Sequence, residues 1–314
     1  MRRLSAAQHR LGFERIAHTY SIIAIDPRAH EMGVAVQSHW FSVGTAVPWA
    51  EAGIGVVATQ AIVNTSFGPR GLKMLKSGLS ARKVLDKLVQ SDKDRDFRQL
   101  AVLDAKGRVS AYTGKSCIPE AGHIVGKTCS VQANMMLSKK VWSAMFKSFE
   151  KARGPLAEKM LAALETAQNA GGDIRGSQSA AILVVRSKSS GKAWEDRLID
   201  LRVDDSQEPL VELRRLLRVH RAYEHYESSA PAIESGNMNL ARRHFAAAER
   251  MCPENEEIRF WHAVALVDNG MFREALPLFR EVFDKNDNWR ELFRRLAPLA
   301  LNVDEKRLKD ILRQ

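Results

Sequence analysis

The sequence predicts a mixed α+β protein: a four-layer αββα sandwich over residues 19–205, followed by an all-helical region. Three observations predict it. Strand and helix patterns come in groups, in the order strands, two helices, strands, two helices, strands. A strictly alternating βαβ chain would instead place a helix between nearly every pair of strands. After Asp205 the pattern changes from β-rich to helical throughout. Finally, Gly236 and Gly270 head two similar stretches offset by 34 residues.

The elements follow in order. Thr19-Tyr20-Ser21-Ile22-Ile23-Ala24-Ile25-Asp26 and Met32-Gly33-Val34-Ala35-Val36-Gln37-Ser38 read as two strands around a turn at Pro27. Ile54–Ala61 is a short apolar run rich in β-branched residues, as a buried strand requires. Leu72, Leu75, Leu79, Val84, Leu85 and Leu88 recur at helical spacing, with a break at Gly78 and a new N-cap at Ser80. FRQLAVLDAKGRVSAYTG is a hairpin turning at Asp104–Gly107. SVQAN is a strand, 138–152 and 156–170 are helices, and SAAILVVRS and DRLIDLRVDD are strands.

In the C-terminal region Ala241 and Ala275 each follow their glycine by five residues, and Phe245 and Phe279 by nine. This is the tetratricopeptide spacing, in which a small residue lets two helices approach and a phenylalanine fills the groove. The first copy is poorer, with Ser229 at its small position and Pro231 inside the expected helix. Two copies are fewer than such stacks need, so 206–221 and 289–313 are expected to cap them. Two roles stay open for this region: binding a protein partner, or packing that includes self-association into a homo-oligomer.

Composition excludes several classes. No apolar run is long enough to span a bilayer, so no membrane is expected. Three cysteines, Cys117, Cys129 and Cys252, do not make a disulfide scaffold and suit a reducing, cytoplasmic setting. No ligand cluster or phosphate-binding glycine loop stands out, so neither a metal nor an organic cofactor is expected. The net charge of +11 lies wholly in the first 205 residues, because 206–314 hold 18 basic and 18 acidic residues. The basic residues are scattered rather than banded with aromatics, which argues against nucleic acid. Residues 1–18 are rich in arginine without an apolar core. They make a poor secretory signal, faintly similar to an organelle-targeting peptide, and read best as a tail.

TYSIIAIDP, MGVAVQSHWFSVGTAVPWAEAGIGVVATQA, SFGPRGLKMLKSGLSA, QLAVLDAKGRVSAYTGKSC, SVQANMM, AGGDIRGSQSAAILVV and DRLIDLRVDD are collinear motifs. Over about residues 19–217 they resemble the bacterial domain-of-unknown-function family numbered 1028. The resemblance implies a sandwich similar to the N-terminal-nucleophile hydrolases and an amide hydrolase of unassigned substrate, a small molecule or a peptide. It places Thr19 at the nucleophile position. A threonine that opens a strand suits that chemistry, since a free α-amine on the same residue would serve as its base. Eighteen residues precede Thr19 and Met1 is their only methionine, so methionine removal does not expose it. The expectation is that the chain cuts itself before Thr19, that a protease cuts it there, that the true start differs, or else that the domain is a silent scaffold whose repeats bind a partner. The expected domains are an extension at 1–18, the hydrolase-like domain at 19–205, a linker and capping helix at 206–221, and the tetratricopeptide-like domain at 222–314.

An amidase also needs donors for the developing oxyanion. Asn64 and Asn134 each follow a strand and are amide candidates, or else helix caps. Gln60 and Gln132 sit in apolar runs and need buried partners. Asp173, Arg175 and Ser179 lie in a glycine-rich segment where Arg175 could hold a substrate carboxylate, or where Asp173 and Arg175 simply stabilise a turn. Asp26 either orients the Thr19 amine or starts a turn. Ser21 is a rival hydroxyl on the same strand face. His39, His123, Cys117 and Cys129 read as structural.

Overall fold

From Thr19 to Ile25 every residue is buried. A strand buried on both faces must have a layer on each side, and the alternation of its side chains identifies the two layers. Ile23 and Ile25 pack with Val56, Ala58, Ala101 and Leu103 of a second sheet. Tyr20, Ile22 and Ala24 face the opposite way and are fully buried. The computed structural model describes residues 16–17, 19–301 and 303–314, so the extension expected over 1–18 falls almost wholly outside the described residues.

The strands are β1 (Ile16–Ala17), β2 (Thr19–Asp26), β3 (Glu31–Ser38), β4 (Pro48–Glu51), β5 (Gly55–Ile62), β6 (Arg98–Asp104), β7 (Val109–Thr113), β8 (Gly122–Val125), β9 (Cys129–Ala133), β10 (Ser179–Arg186) and β11 (Arg197–Val203). One sheet runs β1-β5-β6-β7, with β4 also paired to β5; the other runs β11-β10-β3-β2-β9-β8. Every pairing is antiparallel. Helices α1 (Phe67–Lys76) and α2 (Ala81–Gln90) cover β5 and β6. Helices α3 (Val141–Lys151) and α4 (Leu156–Asn169) cover the other sheet at β9, β2 and β3. The four layers are therefore helix, sheet, sheet, helix, as the grouping of elements predicts. A short α5 (Ala193–Asp196) precedes β11.

The capping chemistry agrees with the sequence. Ser80 accepts from the Lys83 N–H and starts α2, and Asp104 Oδ1 accepts the Lys106 and Arg108 N–H groups at the hairpin turn. The strands β1, β4 and β8 went unpredicted. They hold only two to four residues each, too few for alternation to show.

The chain divides into two compact units, Met1–Arg215 and Leu216–Gln314. Helix α6 (Pro209–Glu234) runs through that division without a break. The sequence reading stops a capping helix at 221. The observed helix continues because no glycine or proline intervenes before Pro231, which stands within its last turn.

The second unit continues with α7 (Met238–Met251), α8 (Glu256–Asp268), α9 (Phe272–Lys285), α10 (Asn288–Ala300) and α11 (Glu305–Leu312). Gly236 and Gly270 adopt φ of 72° and 76°, the left-handed conformation that ends a helix at little cost for glycine. The repeat positions Ala241, Ala275, Phe245, Phe279, Ala248 and Val282 are all buried. Phe279 lies 4.6 Å from Phe293 and 6.0 Å from Phe260, ring centre to ring centre. Ala275 is wholly enclosed in this cluster. Ala275→Leu should overpack it and cost about 1–3 kcal/mol, read as a lowered denaturant midpoint. An unchanged midpoint would remove the close-packing role. Among the described residues no helix is long and apolar enough to cross a membrane.

Candidate active site

Alternation along β2 places Thr19 and Ser21 on the face that carries Ile23 and Ile25, between the two sheets. At this end of the sandwich the apolar core gives way to a polar cluster. Two rows of paired residues build it: Thr19, Ser38 and Ser179 across one sheet, and Gln60, Gln99 and Thr113 across the other. Thr19, Ser21, Ser38, Gln60, Gln99, Ser130, Gln132 and Asn134 are all wholly buried. Buried amides and hydroxyls are tolerated only when their hydrogen-bonding capacity is met, and here they meet one another's.

The orientation of Gln99 follows from its neighbours. The Ala133 carbonyl can only accept, so Gln99 Nε2 must face it, at 2.9 Å. Gln99 Oε1 then accepts from Gln60 Nε2 at 2.7 Å and Asn134 Nδ2 at 2.9 Å. Gln60 Oε1 accepts from Ser21 at 2.6 Å, Ser21 accepts from Gln132 Nε2 at 2.7 Å, and Gln132 Oε1 accepts from Ser130 at 3.0 Å. Every donor in this series points toward Gln99.

Thr19 stands where the chain changes sheets. β1 pairs with β5 through Ala17, while β2 opens at Thr19 in the other sheet. The Thr19 hydroxyl donates to Ser38 Oγ at 3.2 Å. Its carbonyl accepts from the Asn134 N–H at 3.1 Å, Gln60 Nε2 at 3.2 Å and Asn134 Nδ2 at 3.3 Å. Two non-glycine residues beside the cluster hold left-handed backbone, Ala61 at φ 71° and Met135 at φ 59°. Such strain persists only where its surroundings impose it.

The other sequence candidates divide. Asn134 is bound directly to Thr19. Asn64 is not: its amide donates to Asp92 at 3.2 Å, and its Oδ1 accepts from the Ser66 N–H and hydroxyl at the start of α1. Asp173 is buried and takes Arg175 in a two-pronged pair at 3.0 and 2.7 Å. It also accepts the His39 N–H at 3.3 Å, and it bridges Met136 beside Asn134. The Asp173 carboxylate and burial together push the Tyr20 hydroxyl well above its ordinary pKa, burial being the larger cause. Ser179, the first residue of β10, donates to the Trp40 carbonyl and accepts the Val43 N–H, which anchors the segment after β3. Asp26 sits at the far end of β2 and binds the Arg28 and Ala29 N–H groups, so it starts the turn and does not reach Thr19. Cys117 and Cys129 are buried, and their thiols are pushed up to about 11 and about 12, chiefly by desolvation. Among the described residues no three His, Cys, Asp or Glu side chains gather as a metal would need.

Sequence reasoning missed Gln99, Ser38 and Thr113, and it reads His123 as structural. Gln99 carried a usable signal, as a lone amide in an otherwise apolar strand, the pattern that marks Gln60 and Gln132. Thr113 and His123 carried none, because they lie in different sheets and only the packing of one sheet on the other brings them together, at 2.8 Å.

The sandwich agrees with what is found by comparison. The family of unknown function DUF1028 matches residues 19–213. The chain belongs to that family. The crystal structure of protein SPO2555 from Silicibacter pomeroyi, also of DUF1028, is similar at 27% identity and a TM-score of 0.57. The match covers 64% of this chain and 88% of that one. No curated protein matches.

Proposed function

We propose that the first unit is an amide hydrolase of the N-terminal-nucleophile type, with Thr19 as nucleophile after the bond before it is cut. The observation that carries this reading is the position of Thr19. It opens β2 on the face between the sheets, at the point where the chain changes sheets. In the uncut chain its nitrogen belongs to a peptide bond and cannot act as a base. Cutting converts that nitrogen into an amine with a pKa near ~7.7–8.0, suited to general-base work at neutral pH.

The chemistry then runs within one residue. The amine takes the proton of the Thr19 hydroxyl as Oγ1 attacks the substrate carbonyl carbon. The departing amine takes that proton and leaves an ester on Thr19. Water, deprotonated by the Thr19 amine, attacks the ester. The bond from the acyl carbon to Oγ1 breaks, Oγ1 takes the proton back from that amine, and the acid leaves. Asn134, close to Thr19, is the proposed donor to the oxyanion. The segment carrying Asp173, Arg175 and Ser179 is the proposed substrate border, with Asp173 orienting Arg175 toward a substrate carboxylate.

A second reading rests on a different observation. The helical unit holds an apolar cleft of about 380 Å³ lined by Tyr226, Phe245, Trp261 and Val264, which suits a scaffold that binds a protein partner. The mass of the purified protein separates the two. The hydrolase reading expects a chain starting at Thr19. A chain that keeps all residues before Thr19 and hydrolyses no amide supports the scaffold.

A further inference from the structure

The hydrogen-bond series described above does not stop at Gln99. Gln99 Nε2 donates onward to Thr113 Oγ1 at 2.9 Å. A hydroxyl that accepts this bond still has its own hydrogen to place, and His123 Nδ1 lies 2.8 Å away. In the tautomer that carries the ring hydrogen on Nε2, Thr113 donates to Nδ1. The Gln99 side chain fixes the hydroxyl rotor, so the hydrogen is already aimed at a base. Burial lowers the pKa of His123 below its ordinary value, which keeps the ring neutral at neutral pH. A hydroxyl and a neutral imidazole within hydrogen-bond reach are the nucleophile and base of acyl transfer.

The pair is also reachable. Thr113 and His123 are only partly buried, unlike Thr19 and Ser21. They line a pocket of about 500 Å³ together with Lys115, Cys117 and Glu120. Cys117 is no rival nucleophile, since its thiol is pushed up to about 11 and donates to the Arg98 carbonyl. Lys115 pairs with Asp96 at 3.3 Å and extends into solvent.

We propose that Thr113 and His123 form a second acyl-accepting site that takes acyl groups from small ester or amide donors and needs no free α-amine. Thr113 Oγ1 forms a bond to the acyl carbon while its proton passes to His123 Nδ1. The bond from that carbon to the leaving group breaks, and the leaving oxygen or nitrogen carries away the electron pair and, where it needs one, the proton. Where the leaving group departs as an anion, His123 first gives its proton to solvent. Water then gives a proton to Nδ1 and bonds to the acyl carbon. The bond from that carbon to Thr113 Oγ1 breaks, Oγ1 takes the proton back from Nδ1, and the acid leaves.

The test uses the full chain with the residues before Thr19 intact, and p-nitrophenyl acetate as the probe. The expected result is an acetyl ester on Thr113, located by fragment mass and removed by hydroxylamine. Its rate of formation should rise through a midpoint below the ordinary histidine pKa and stay flat above neutral pH. His123→Gln should slow labelling roughly 100-fold or more, the usual scale of a lost general base. Thr113→Ser should keep the label and Thr113→Val should lose it, with circular dichroism confirming the fold. Should Thr113→Val fail to fold, His123→Gln and the pH profile decide. Acetyl found on Lys115 alone, a rate that keeps climbing above neutral pH, or an unchanged rate in His123→Gln overturns the proposal. None of these readouts depends on Thr19, so the two sites can fail separately.

Discussion

A chain made to begin at Thr19 should hydrolyse an amide substrate, and Thr19→Ala in that chain should lose roughly 1,000-fold or more of the rate while staying folded. The fold should survive because the Thr19 hydroxyl donates to Ser38 at 3.2 Å while the contacts of its backbone carbonyl remain. Thr19→Ser keeps a hydroxyl and an amine on one residue and should retain part of the activity. The rate should rise with pH to a plateau as the amine loses its proton near ~7.7–8.0. A broad amide screen on the three proteins, with masses confirmed, measures this. In a Thr113→Val background, equal hydrolysis by Thr19→Ala removes Thr19 from the mechanism, and hydrolysis by a chain with all preceding residues intact removes the amine.

Asp92→Ala should unfold the first unit far more readily, at a cost of about 3–5 kcal/mol. Asp92 and Arg98 form a 2.9 Å ion pair in which each side chain is only 8% exposed. Arg98 also donates to the Ile62 carbonyl at 2.6 Å, tying the end of β5 to the start of β6. Removing the carboxylate takes the 2.9 Å partner from a buried guanidinium, and Asp94 stands farther off, at 3.9 Å. The denaturant midpoint should fall with little change in slope. Asn64→Ala breaks a bond to the same carboxylate and should cost only about 1 kcal/mol. If Asn64→Ala instead leaves stability intact and abolishes hydrolysis, Asn64 is an oxyanion donor and the reading of its contacts fails.

What could be read in the sequence depended on the range of the interaction. The long strands, the two helix pairs and the cap at Ser80 are local patterns, and they appear where the pattern places them. The short strands β1, β4 and β8 are made by their neighbours' edges rather than by their own residues. The candidate site was half legible for the same reason. Thr19, Gln60, Gln132 and Asn134 each stand out locally as polar residues in or just after strands. Gln99 and Thr113 join them only because β5, β6 and β7 pair in one register, and no spacing along the chain signals that. Asn64 and Asn134 have the same local signature. Only the sheets' edges separate them, sending one to the outer helix layer and the other to Thr19.

The common direction of the buried hydrogen bonds bears on how this protein can change over generations. From Gln132 to Gln99 each side chain accepts on one side and donates on the other, so the sense of one link dictates the sense of the next. A glutamine exchanged for glutamate would bring an acceptor to face an acceptor, and would have to take up a proton to stay buried. One exchanged for leucine would strand the polar atoms on both sides. Neither step is mild by itself, yet two neighbouring links lost together can be replaced by packed apolar groups. Inheritance along this line is therefore expected to proceed in linked pairs of substitutions, with single changes confined to its open end at His123.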